Sequence, residues 1–488
     1  MDVIWLLLVL LLSLITIQFM KIRQIAAHLP PGPTPLPLIG NLFTTKCQLN
    51  HKTLMKLSKI YGNIMTIWAG QTSLIVLNGY EAIRECLINN SEKVSDRPTT
   101  PFFKYYSEGR GIIIGTGQNW KVQRRLSIKI LRNLGLGKKV LEWRIKSEAS
   151  QLVEILVSQK GSAIDPKNCL TNAVSNVVAA VSFGHTFSLN DELFHHIFES
   201  STLVAAFFGT RWGQLYDAFP WLMHRLPGPQ QSMYKHLHFL KQYMLYEIRQ
   251  HQQNPSAEPQ DVIDYYLEQI SKTQDDPSST VDEENLIQVL VDFVLAGFET
   301  VTSTLRWGLL YMAVNQDVQV KAQKEIDAIV ESIENLQYEH RTKLPYTNAV
   351  IHEIQRVSNV VPNGLPRLCT QDIKLQEYSI KKGTIIIANL ASACMDPNHW
   401  KFPDTFNPSN FLDEEGNFQP NEAFLPFSAG HRNCMGEQMA RTELFIFFTS
   451  LLKTLSFQLP KGVTEVNMDG IYGTTYLPHA YKICPIPR

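Results

Sequence analysis

Apolar and polar residues alternate in blocks that set the outline of the chain. Val3–Met20 (VIWLLLVLLLSLITIQFM) carries no charge, and its eighteen residues at 1.5 Å each span about 27 Å, near the thickness of a bilayer's hydrocarbon core. Asp2 precedes the run where a cleaved leader would carry basic residues, so a signal anchor is expected rather than a cleaved leader. Lys21 and Arg23 come next, which predicts that the rest lies on the cytoplasmic side. Residues 29–40 (LPPGPTPLPLIG) are stiffened by proline and read as a spacer between membrane and body. Ile64–Leu77 predicts two strands around a Gly-Gln turn, and Trp120–Arg132 predicts a helix. Residues 140–270 are mostly helical patterns broken at Pro227-Gly-Pro, and Leu203–Phe208 suits either core or ligand. From Leu286 to Ala313 the chain is largely apolar, with Asp292 and Glu299 its only carboxylates. Such a helix, about 50 Å long from Thr280 to Asn315, must run through the middle of the protein. Thr280 and Glu283 are spaced as a capping box at its start.

Composition narrows the class. Lys plus Arg and Asp plus Glu number 45 each, so no net field favours nucleic acid. The seven cysteines are scattered without a C-x-x-C pair, poor material for a disulfide framework or a zinc site. There is no G-x-G-x-x-G dinucleotide fingerprint.

One cysteine stands apart. Residues 424–440 read FLPFSAGHRNCMGEQMA, with Cys434 in a loop just ahead of an apolar helical pattern. Unpaired N–H groups at a helix start, together with the fixed charge of Arg432, favour a thiolate. Gly430 and Gly436 let backbone approach a flat ligand. The set suits a sulfur ligand for haem iron. On Trp120–Arg132, Trp120 and Arg124 share a face, while Lys121, Arg125, Lys129 and Arg132 form a basic stripe about 100° away. Thr99–Gly115 is rich in aromatic and branched residues and reads as a loop roofing an apolar pocket. Glu353 and Arg356 are spaced i,i+3 on a helix expected over Tyr346–Val357.

The spacing F-x-x-G-x-R-x-C-x-G, met by Phe427, Gly430, Arg432, Cys434 and Gly436, resembles the haem loop of the cytochrome P-450 family. W-x-x-x-R at Trp120 and Arg124, A-G-x-E-T at residues 296–300 and E-x-x-R at Glu353 and Arg356 follow in family order, most similar to microsomal family 2 members. The resemblance implies a mainly α fold with small β-sheets, haem b lying between a long central helix and the cysteine loop, plus one N-terminal transmembrane helix. It divides the chain into an anchor (1–28), a Pro-rich hinge (29–41) and a haem-thiolate domain (42–488). It makes Cys434 the axial iron ligand, places Phe427, Gly436 and Arg432 around the haem, and assigns Arg97, Trp120, Arg124 and Arg367 to the propionates. Glu299 and Thr300 become the acid–alcohol pair that delivers protons during oxygen activation, at a family kink where Val301 replaces the frequent hydroxyl residue. Phe103, Ile113, Ile114, Asp292, Ala296, Val361 and Leu365 are expected to face substrate. Glu353 and Arg356 are expected to buttress the haem loop; Asn410 stands where relatives carry Arg or His. The activity implied is insertion of one oxygen atom from O2 into a lipophilic molecule (fatty acid, steroid or xenobiotic) at the endoplasmic reticulum membrane. Electrons would come from NADPH through a cytochrome P-450 reductase, with a b-type cytochrome as a further donor, on the basic stripe. Rival readings are a haem-thiolate isomerase or dehydratase of lipid peroxides, and a non-catalytic haem-binding membrane protein.

Overall fold

A computed structural model describes residues 2–45 and 48–488. The N-terminal helix, Asp2–Ala26, touches the body only near its C-terminal end, where Ile22 is buried: the span Val3–Ala26 has a mean hydropathy of 2.6 and none of its most apolar window is buried. The second apolar helix, Glu283–Val314, has a mean hydropathy of 1.5 but is two-thirds buried (67%), which makes it the core helix of the body. Only the first helix is thus left with an apolar surface that water would have to cover.

The Pro-rich segment is not a free spacer. Thr66 donates its N–H to the Pro31 carbonyl and its hydroxyl to that of Pro30. Asn41 closes the segment from the other end, donating to Pro33 and Thr34 and accepting from the Trp68 N–H. Gly32 allows this approach, because a Cβ there would lie 2.0 Å from the Thr66 oxygen. The hinge expected at 29–41 is therefore docked on the first strand.

That strand, Ile64–Ala69, pairs antiparallel with Thr72–Leu77 around Gly70, the turn the sequence predicts. Thr72–Leu77 pairs parallel with Ile385–Ala388, which carries Arg367–Leu368 on its far side. The remaining strands form three two-stranded ribbons.

The central helix runs unbroken over Glu283–Val314. Its cap is Asp282, whose side chain accepts from the Asn285 N–H; the Thr280 hydroxyl makes no hydrogen bond. The expected Thr280–Glu283 box does not form, and Glu283 pairs instead with Arg249 at 2.9 Å. The helix runs through Gly297 without interruption. A Cβ at this position would meet Val178 at 2.8 Å, so the glycine admits helix Lys167–Ser182 to close packing. About three turns on, Gly308 fits between Ile354 of helix Pro345–Ser358 and Phe448 of helix Glu437–Thr454, with 3.3 Å from its Cβ position to each. Three helices are thereby locked around one cavity.

Candidate functional site

The cavity encloses about 330 Å3 between the central helix and the Cys434 loop. The loop is held from behind. Gly430 has φ +71°, and a Cβ there would sit 1.9 Å from the Leu87 oxygen. His431 donates its N–H to Ser91, and Cys434 donates its N–H to the Phe427 carbonyl at 2.9 Å. The Cys434 thiol opens into the cavity, with helix Glu437–Thr454 starting three residues later. The thiolate is not favoured by this setting alone. Burial pushes the thiol up to about 11, outweighing the Gly436 N–H and Arg124, which pull it down. A cation at the sulfur is what would make the anion stable.

Four guanidiniums line the same cavity: Arg97, Arg124, Arg367 and Arg432. Arg97 donates to the carbonyls of Ile113, Leu365 and Pro366. Arg432 donates to those of Ser95, Ile112 and Gly115, and lies 3.6 Å over the Trp120 ring. Arg367 reaches Ser428, and Arg124 reaches Asn433 beside the cysteine. None forms an ion pair with a carboxylate among the described residues. Burial and mutual repulsion lower Arg97, and the same causes hold Arg432 at about 9. The Trp120 indole N–H is buried without an acceptor. Unpaired cations beside an orphaned donor require an anion. Two propionates of a haem seated on Cys434 meet that requirement, so the residues fit the group.

Above the sulfur the lining is apolar. The central helix contributes Phe293, Ala296, Gly297, Thr300, Val301 and Thr304, a stripe at i, i+3 and i+4 spacing. Ile113, Val361 and Leu365 line the cavity as the sequence suggests, joined by Ile112 and Val360. Phe103 and Ile114 do not. The Thr99–Gly115 loop contains a helix, Pro101–Ser107, which stacks Phe103 on Phe208 at 4.5 Å within the core. Leu203–Phe208 is correspondingly core rather than ligand surface, with Val204 and Phe207 buried. Asp292 lines the cavity, but its carboxylate is consumed by Tyr106, Gln288 and the Ile112 and Ile113 N–H groups. It clamps the 112–113 segment to the central helix.

The acid–alcohol pair divides. Thr300 faces the cavity and donates its hydroxyl to the Ala296 carbonyl at 2.8 Å. Glu299, the next residue, turns away and accepts from the Thr475 hydroxyl at 2.8 Å. Burial raises its carboxyl, with Thr475 opposing.

Beneath the loop, Glu353 and Arg356 form a fully buried pair at 2.7 Å. Arg356 also donates to the carbonyls of Cys394, Phe402, Pro403 and Thr405. Asn410 completes the lock, donating to Glu353 and to the Phe402 carbonyl and accepting the Phe402 N–H. The other described cysteines are unpaired, and Cys47 lies outside the described residues.

Comparison with known proteins agrees with this geometry. The sequence model of the family described as Cytochrome P450 matches residues 30–485. Human cytochrome P450 2J2 is 40% identical over 477 residues, covering 97% of this chain and 94% of the relative. Rat cytochrome P450 2C11 is 37% identical over 489 residues, covering 100% and 98%, and rat cytochrome P450 2A3 is 36% identical over 478 residues, covering 97% of each. Similarity that runs from the proline segment to the last strand, over a cavity that brings Cys434 and four arginines together, makes this chain a member of the cytochrome P450 family, the haem monooxygenases.

Proposed function

We propose that the protein inserts one oxygen atom from O2 into a lipophilic small molecule, using Cys434 as the axial haem ligand and electrons from NADPH delivered by a flavoprotein reductase. The observation that carries this reading is that one cavity joins the Cys434 sulfur, four carboxylate-free guanidiniums and an apolar stripe of the central helix. When bound, haem supplies the oxygen-activating redox chemistry. The chain supplies the rest. Arg97, Arg124, Arg367, Arg432 and the Trp120 N–H hold the propionates, while Phe427 and Gly436 leave room for the ring against the loop. Ile113, Ala296, Val361 and Leu365 bind and orient the substrate by apolar contact and exclude water.

Thr300 holds a proton at its Oγ. With that hydroxyl donated to Ala296, its lone pairs are free to accept from a water in the cavity, and rotation about χ1 releases the proton forward. Glu299, bonded to Thr475 and not lining the cavity, has no direct path to that water. Lys121, Arg125, Lys129 and Arg132 are all exposed on helix Gly117–Asn133. An acidic reductase surface docking there would lie one helix face away from Arg124, which already touches Asn433 next to the ligand. The exposed N-terminal helix anchors the body to the endoplasmic reticulum membrane, with the body on its cytoplasmic side.

The test combines spectroscopy with turnover. Reduced protein with carbon monoxide should show the red-shifted Soret band of thiolate ligation, and Cys434→Ala should lose it together with NADPH-dependent oxygen consumption. Turnover of lipid peroxides without reductase, and none with it, would replace the monooxygenase by an isomerase or dehydratase.

A further inference from the structure

Apolar residues stand on the solvent side of the helix that follows the basic stripe. Along Lys139–Ser158, Leu141, Ile145 and Leu152 are buried and fix the face turned to the core. Trp143 lies two positions from both Leu141 and Ile145, about 200° round the helix, so it faces water. It is 66% exposed, more than any other tryptophan beyond the N-terminal helix, and Val140, three residues before it, is 59% exposed. No hydrogen bond or ring contact holds the Trp143 indole among the described residues. Single exposed apolar residues are ordinary, but an unheld indole with an apolar neighbour at i−3 is a surface that a partner would cover.

A cationic turn frames this pair. Arg132, Lys138 and Lys139 are exposed, and none of them forms an ion pair among the described residues. The turn holds them together: Gly135 donates its N–H to the Arg132 carbonyl at 3.2 Å, and Lys138 donates its N–H to the Gly135 carbonyl at 2.8 Å. A Cβ on Gly135 would lie 3.3 Å from the Val140 Cβ, so Val140 rests on the turn just beyond Arg132. Glu142 is the only carboxylate between Gly117 and Ser147, which makes this stretch a basic field. The turn is backed by the start of the helix behind Cys434. A Cβ on Gly137 would collide with the side chain of Gln438, four residues past the cysteine, and Arg124 reaches Asn433 at 2.7 Å.

We propose that Val140 and Trp143 form the apolar centre of the reductase docking surface, with Arg132, Lys138 and Lys139 as its cationic rim. The rim steers an acidic partner in, and burial of the indole then holds it, as an aromatic anchor inside a charged border does. The occupant follows from charge and place. A second copy docking through the same patch would set cations against cations. An acidic electron donor pairs with them instead, and it would stand over the turn that touches the helix start behind Cys434. The proposal rests on the reductase-dependent reading above.

The test follows formation of the reduced carbon monoxide band by NADPH and reductase. Full-length holoenzyme is held in phosphatidylcholine vesicles, which carry no net charge, while reductase concentration and salt are varied. Relative to wild type at the same salt, Trp143→Ala should raise the reductase concentration giving half-maximal rate by about fivefold or more, at low and high salt alike. Trp143→Phe should restore most of this loss. Lys138→Gln combined with Lys139→Gln should raise the same concentration at low salt only, because salt screens the rim. The band formed with dithionite should be unchanged in each variant, which reports an intact haem site. An unchanged half-maximal concentration in Trp143→Ala, or a loss that vanishes at high salt, would overturn the proposal. So would a loss confined to docking of a b-type cytochrome or to self-association. Should Trp143→Ala lose the dithionite band, Val140→Ser decides by the same criteria. Failure of the monooxygenase reading shows separately, as wild-type protein that forms the dithionite band yet consumes no oxygen with NADPH at any reductase concentration.

Discussion

Asn410→Ala isolates the one member of the buried lock that carries no charge. The substitution deletes three hydrogen bonds: one to Glu353 at 3.1 Å and two to Phe402, at 2.9 and 3.1 Å. Glu353 keeps Arg356 at 2.7 Å and the Asn407 N–H at 2.8 Å on the same oxygen, so the carboxylate is not orphaned. The Phe402 carbonyl keeps Arg356, whereas its N–H loses its only partner. One charge-assisted bond of about 1 kcal/mol after this compensation, and about 1–2 kcal/mol for the Phe402 pair, give a loss of about 2–3 kcal/mol. Arg356→Leu should cost more, about 3–5 kcal/mol, because it leaves the Glu353 charge buried and unpaired and frees the carbonyls of Cys394, Pro403 and Thr405. Urea titration of the holoenzyme, followed by the reduced carbon monoxide band, measures both losses under one protocol. A loss below about 0.5 kcal/mol for Asn410→Ala would mean that water replaces the amide freely. A loss equal to that of Arg356→Leu would mean that the arrangement of the loop, and not the ion pair, carries the lock. Either result refutes the reasoning.

Three further outcomes are expected. Thr300→Ala, which leaves the helix intact because Ala is the better helix former, should keep haem content while the product-to-peroxide ratio falls by about tenfold; parallel assays of NADPH, product and peroxide check this. Deleting residues 1–28 should leave the carbon monoxide band unchanged and let the protein leave membranes in high salt, since the most apolar window of the Val3–Ala26 span is unburied; sedimentation with membranes at low and high salt measures it. His251 is raised from 6.5 to about 9, first by its bond to Asp261 and then by the Glu247 carbonyl, with burial opposing, and Asp264 and His185 stand nearby. A raised histidine stabilises fully below pH 6.5 and loses that contribution as pH climbs through 9. Thermal midpoints should therefore fall over this window in the wild type and fall less in His251→Gln.

Spacing along one chain was readable; direction in space was only partly so. The cysteine loop, the E-x-x-R helix, the hairpin and the central helix all follow from periodicity or from residue types at fixed offsets, and each lies where the pattern puts it. The Pro-rich segment was not readable as docked, because its partners are backbone groups of Thr66 and Trp68 that no local pattern announces. Asp292 was readable as one of two carboxylates in an apolar helix and was expected to face substrate. That four donors from Tyr106, Gln288, Ile112 and Ile113 satisfy it depends on a long-range fold.

Glu299 and Thr300 carry a more general lesson about helical sites. Adjacent residues on an α-helix point about 100° apart, so a narrow cavity can be faced by one of them and not by both. Thr300 belongs to the stripe of Phe293, Ala296 and Thr304, which fixes its face, and Glu299 must then look elsewhere. The structure gives that elsewhere as Thr475, in the turn between strands Gly470–Tyr472 and Tyr476–Pro478. The same rule applied to the helix after the cysteine selects Met439, Ala440 and Glu443 at i, i+1 and i+4 as one cavity wall, with Leu444 beside them. Of the acid–alcohol pair, Thr300 alone therefore faces the cavity.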